Sequence, residues 1–299
     1  MYILTVATFC GIYAILTLGL NTITGLAGQI SLGHAAFFGV GAYTAAILTV
    51  SYRWDFWPAL AAAVATAAAF GALIGAAAIR VREDFLAITT MGVNFVVVAV
   101  FLYFPFFGGA LGIGGIPGPA LFGREVAKSG FFLLVAAGVV LALAVNLWLL
   151  RSWAGLALLA VREDEDAARA SGVDVRKFKI AAFTVGTALA GLAGAFYASF
   201  LTFISAGDFG FPFSITILCM LVFGGIGTNR GAIAGAVVLG VLPELFRFMA
   251  DYRMLTYGTI LLLLMRFQPA GLLGDESAVW RALRKRRGRG VSPGARAFQ

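Results

Sequence analysis

The sequence predicts an all-α protein: a polytopic integral membrane helix bundle of about nine transmembrane helices, with a Gly-rich break after the first. Two observations carry that reading. Of the 299 residues, 61% are hydrophobic and only 12% charged, and the mean hydropathy is +0.95. Soluble domains are about twice as charged and cannot hide so much apolar surface. In addition, nearly uncharged runs recur from end to end, each close to the roughly 20 residues a helix needs to cross hydrocarbon. Residues 1–275 read as one transmembrane domain and residues 276–299 as a basic tail.

The first run, about 3–20, leads into LNTITGLAGQISLGHAAFFGVGAYTAA, residues 20–46. This stretch sets Asn21, Gln29, Ser31 and His34 among Gly25, Gly28, Gly33, Gly39 and Gly41. Polar side chains and irregular backbone persist at membrane depth only where protein buries them or water lines them. A break here therefore points to a pathway, with Asn21, Gly28, Gln29, Ser31, Gly33 and His34 as its candidate residues. The alternative is a turn at the membrane surface and a helix whose glycines are a packing face. His34, the only histidine, fits either a pathway lining or a packed, hydrogen-bonded core residue.

The second run, about 35–50, ends in SYRWDFW, whose Tyr52, Trp54 and Trp57 suit the membrane interface. The third, about 58–79, carries Gly71 and Gly75 at the spacing that lets helices approach closely. A charged hinge at 80–84 precedes the fourth run, about 85–104, in which Thr89, Thr90 and Asn94 suit helix-to-helix hydrogen bonds. Residues 104–123 are too rich in Gly and Pro for a helix. The fifth run, about 130–150, opens into the largest polar segment, 151–179. Further runs at about 180–203, 213–227, 231–249 and 255–267 complete the domain. Gly224, Gly225, Gly227, Gly231 and Gly235 echo the first glycine cluster, as paired breaks around a central site do, or form a tight turn.

Lys and Arg in short loops set orientation. The segment 151–179 holds Arg151, Arg162, Arg169, Arg176, Lys177 and Lys179, and the tail holds Arg281, Arg284, Lys285, Arg286, Arg287 and Arg289. Both are expected in the cytoplasm, with the N-terminus and the Gly/Pro loop outside, in a multi-pass protein of the cell (inner) membrane. The net charge of +8 thus sits where anionic headgroups attract it, which argues against nucleic acid as a partner.

Nothing in the sequence suggests catalysis, a cofactor or a metal: Cys10 and Cys219 lie in apolar runs, and histidine occurs once. No GxxxxGK[ST] phosphate cradle is present, and GGIGTNRG at 224–231 lacks its Lys-Ser/Thr ending. Residues 160–172 read as a short cytoplasmic helix, with acids in its first turn and Gly172 as its stop.

The strings GLAGQISLGHAAFFGVGAYTAA, VREDEDAARASGVDVRKFKIAAF, MLVFGGIGTNRGAIAGAVVLGVLPELFR and RFQPAGLLG, in this order, resemble LivM-like permeases, membrane subunits of branched-chain amino-acid ABC importers. Asp166-Ala167-Ala168 followed by Gly172 is similar to the EAA…G pattern of importer coupling segments, with Asp in place of Glu and no clear match to its distal part. The resemblance implies that Arg162, Glu163, Asp164, Glu165, Asp166, Ala167, Ala168 and Gly172 meet an ATPase. It also implies a second homologous permease subunit, two cytoplasmic ATPase subunits and an extracytoplasmic substrate-binding protein. Leucine, isoleucine or valine is the implied substrate, although similar permeases handle urea and short amides. Such permeases usually have one more helix before the point where this sequence begins. A self-sufficient ion-coupled transporter is the rival reading. It would favour acids within the spans, whereas Asp208, Glu244 and Asp251 fall near predicted ends.

Overall fold

The computed structural model describes residues 2–78, 83–121 and 124–245, together with 258, 259, 262, 266 and 271–273. Among these residues, five helices are long and apolar enough to cross a membrane, and three shorter apolar helices accompany them. The long ones are α1 (Tyr2–Leu20), α3 (Phe56–Ala78), α4 (Glu83–Tyr103), α5 (Lys128–Arg151) and α8 (Val175–Leu201). The shorter ones are α2 (His34–Val50), α9 (Phe211–Gly224) and α10 (Asn229–Leu245). The chain is a multi-pass membrane protein. Most of the expected run at 255–267, the hinge residues 80–82 and the basic tail lie outside the described residues, so the full count of nine is not tested.

The first helix does not stop at Leu20. It continues as a π-helical turn, Asn21–Leu26, to give an unbroken apolar stretch of 25 residues. Asn21 stays helical because its side chain is occupied elsewhere. Its Oδ1 accepts from the Gly227 N–H at 2.8 Å, and its Nδ2 donates to Asn229 Oδ1 at 3.2 Å. The irregular backbone is therefore residues 27–33, shorter than the sequence suggests, with Gly28 at φ +72°.

Helix α8 is the axis of the bundle. It packs on α1, α2 and α3 through residues too small to keep backbones apart. Gly186 meets Gly19 of α1, Gly191 meets both Gly41 of α2 and the Ala63–Ala67 turn of α3, and Gly194 meets the backbone of Phe38 and Ala42. Gly71 and Gly75 of α3 complete the seam against Thr187 and Phe183. Lipid tails are as apolar as leucine, so close van der Waals contact rather than water exclusion holds such helices together.

At one end of the bundle, the Gly/Pro loop forms 3-10 turns at Pro105–Phe107 and Gly109–Leu111. Strand β1 (Ile113–Gly114) then pairs antiparallel with β4 (Phe203–Ile204), while β2 (Ala120–Leu121) pairs with β3 (Arg124–Glu125). After β4 the chain dips inward. Phe209 is fully buried, among Phe38, Tyr43 and Phe101, with ring centroids 5.2, 5.7 and 6.4 Å away.

The other end of the bundle holds the charged segment. The single helix expected there is two: α6 (Trp153–Glu163) and α7 (Glu165–Ala170). Asp164 separates them in extended conformation, and its carboxylate accepts from the Asp166 and Ala167 N–H groups at 2.9 and 3.0 Å. Such an N-cap satisfies two otherwise orphaned donors. Gly172, at φ +84° with open space around it, ends the turn.

Candidate functional site

Two shortened helices start beside one another, α2 on fully buried residues. Helix α2 starts at His34, whose ring faces the backbone of Leu16 and Gly19 on α1, well before the end of that helix. Helix α9 starts just after the buried Phe209. Their first turns lie side by side: the Ala35 N–H donates to Ser214 Oγ at 3.0 Å, and the Phe38 and Phe213 rings stack 5.4 Å apart. Each N-terminus carries a partial positive charge.

The sequence-predicted pathway residues gather around this point and the break before it. Gln29, Ser31 and His34 are buried at 3%, 1% and 0% exposure. The Gln29 Oε1 and the Ser31 hydroxyl have no hydrogen-bond partner. His34 is thus a packed residue whose ring lies against the Leu16 backbone of α1. Buried polar atoms without partners are uncommon enough to need a reason. Gly33 lies against the Thr90 carbonyl of α4, and Thr90 Oγ1 accepts from the Leu32 N–H at 3.0 Å. Asn94 donates to the Phe209 carbonyl at 3.1 Å. Thr89, expected to behave likewise, instead bonds back to Phe85 of its own helix.

Asn21 and Gly28 belong to a second group of contacts, toward the charged end. Asn21 bridges to the turn between α9 and α10, as described. Thr22 donates to Asn146 Oδ1 of α5 at 3.0 Å, and Arg162 of α6 reaches the Gly25 carbonyl at 2.6 Å.

The charged segment itself divides by direction. Glu163, Asp164 and Asp166 are exposed. Glu165 turns inward to an ion pair with Lys179, whose side chain is only 8% exposed. Lys179 therefore does more than mark a basic loop: it roots α7 on α8. Asp174 caps the start of α8, and its hydrogen bonds from Lys177 hold its carboxyl below the usual range. Ala168 packs on Val161 and Val175.

Sequence reasoning missed Ser214, Asn146, Asn229 and the inward turn of Lys179. Asn146 had a signal, as a lone polar residue within an apolar run. The partner of Lys179 had none, because ion pairing between α7 and α8 is not written in spacing. Among the described residues, no cluster of His, Cys, Asp or Glu could hold a metal ion.

Residues 2–265 match the family model described as branched-chain amino acid transport system / permease component. The chain belongs to this family. Escherichia coli K12 LivM, a high-affinity branched-chain amino acid transport system permease protein, is 39% identical over 293 residues, covering 90% of this chain and 69% of LivM. The Pseudomonas aeruginosa permease BraD is 28% identical over 284 residues, covering 88% of this chain and 91% of BraD. The same E. coli strain also carries LivH, 23% identical to this chain over 283 residues, with 88% and 91% covered. No solved structure matches the chain. The family match runs through both helix breaks and the charged segment.

Proposed function

We propose that this chain is a permease subunit of an ATP-binding-cassette importer for branched-chain amino acids in the cell (inner) membrane. It works with a second homologous permease, two cytoplasmic ATPases and an extracytoplasmic binding protein. The observation that carries the reading is the α6–α7 pair. It presents Glu163 and Asp166 to solvent, while Arg162 and Glu165 root it in two different transmembrane helices. A push on this pair moves the bundle, and the chain has no nucleotide cradle of its own. The names of LivM and BraD support the substrate class, and the coexistence of LivM and LivH in one strain supports a second, related permease.

In this reading α6–α7 and the C-terminal tail are cytoplasmic, and the loop carrying β1–β3 is outside. Residues 1–275 are the permease domain and 276–299 its tail, and hydrolysis takes place on the partner subunits. The pathway passes the paired N-termini of α2 and α9. There the helix ends favour the substrate carboxylate without a buried cation, and Gln29 and Ser31 exchange their unmet hydrogen bonds for substrate or water beside His34.

Proteoliposomes holding both permeases and the ATPases should accumulate labelled leucine only with ATP inside the ATPase-facing compartment and binding protein on the other side. Excess urea or acetamide should not compete. Uptake by this chain alone under a proton or sodium gradient would overturn the reading. A cysteine at Ser171 should be shielded from an impermeant maleimide in intact cells and one at Gly115 labelled. Cys10 and Cys219 are buried and should stay silent, so the reverse pattern would invert the topology.

A further inference from the structure

We propose that Arg162 is the positioning residue that joins the coupling helix to both helix breaks, so that movement of α6 opens or closes them together. The inference rests on the importer reading and adds the route by which the coupling segment acts. Arg162 Nη1 donates to the Gly25 carbonyl at 2.6 Å, in the last turn of the π helix, where helix carbonyls otherwise lack partners and a cation suits the negative end. Its stem lies over Gly28: a methyl group there would stand 3.2–3.4 Å from the Arg162 Cγ, Cα and Cβ. The same Nη1 stands beside the second break, 2.7 Å from where a Gly227 methyl would be. Gly227 in turn donates to Asn21, and Asn21 to Asn229. One residue thus meets the end of α1 and the α9–α10 turn through its guanidinium and the start of the first break through its stem.

The two glycines form the slot for this side chain. Both have positive φ, +72° and +84°, so a larger residue would be strained there as well as obstructive. Arg162 and Glu163 are both exposed, but only Arg162 is bonded to the bundle, through the Gly25 carbonyl.

The test compares the wild-type permease with Arg162→Met and Arg162→Lys in nanodiscs, first by hydrogen exchange. R162M should raise exchange at least tenfold in both 21–33 and 224–229, while R162K, which keeps a charged donor for Gly25, should raise it less. Exchange that rises only within 153–170, or in one break alone, would overturn the proposal. In the assembled importer, R162M should lower ATP-driven leucine uptake at least tenfold. Unchanged uptake would also overturn it. Should the wild-type assembly show no ATP-driven uptake, the importer reading fails, and the exchange comparison still decides whether Arg162 joins the breaks. If R162M does not insert, R162K carries the comparison, with loss of protection in both breaks as the expected result and wild-type protection as the refutation.

Discussion

Gly41→Leu is expected to remove the folded permease from detergent extracts. Gly41 faces the backbone of Gly191 across the α2–α8 seam, and even a first side-chain carbon at Gly41 would overlap it. Overpacking a soluble core costs about 1–3 kcal/mol and occasionally more. Here the cost belongs at or above the top of that range, because neither backbone can rotate away as a side chain would. A loss of about 3 kcal/mol lowers Tm by roughly 5 °C in a chain of this size. Thermal shift and size-exclusion of a fluorescent fusion would measure it. Gly92→Leu is the matched control. Gly92 is exposed on α4 with nothing near the position of a new side chain, and leucine suits a helix better than glycine by about 0.8–1 kcal/mol. Equal damage from both variants would refute the seam.

The double reversal Glu163→Lys with Asp166→Lys should free the ATPases from the membrane fraction while the permease stays folded. Truncating one partner of a buried interfacial charge pair costs about 2–5 kcal/mol, so reversing two charges weakens docking on the order of a hundredfold or more. The two positions are chosen by what they do not hold. Asp164 caps α7 and Glu165 pairs with Lys179, so reversing either would unravel the segment and mimic a docking defect. Asp166 pairs only with the exposed Arg169 at 3.0 Å, an interaction of a kind worth little. Co-purification of the ATPases and their substrate-stimulated hydrolysis are the readouts. Full assembly with normal stimulation in the double variant would remove the coupling role from this face.

The helical runs were legible because hydropathy at membrane depth is a coarse requirement, and most predicted ends fall within a few residues of the observed ones. The glycines of α3 were legible for the same reason: Gly71 and Gly75 are four apart, and one helix face follows. The π turn was not legible. Asn21 reads as a helix breaker until Gly227 and Asn229, some two hundred residues away, supply its partners. The split at Asp164 was hidden by composition, since an acid-rich stretch looks alike whether one carboxylate caps a helix or all of them face water. His34 shows the limit most plainly. Its sequence neighbours make it a core residue, but only the fold shows that its ring lies against the Leu16 backbone of α1.

The central place of α8 also has a consequence for how the protein is made. Its partners α1, α2 and α3 leave the ribosome roughly 100 to 155 residues before it does. At roughly 5–20 residues per second, the glycine grooves of α2 and α3 wait several seconds or more before the helix that fills them is synthesised. During that interval Gly41, Gly71 and Gly75 can be met only by lipid or by the insertion machinery. Variants that slow translation between residues 78 and 201 should therefore leave more half-built chain for membrane proteases, with no change in the finished protein.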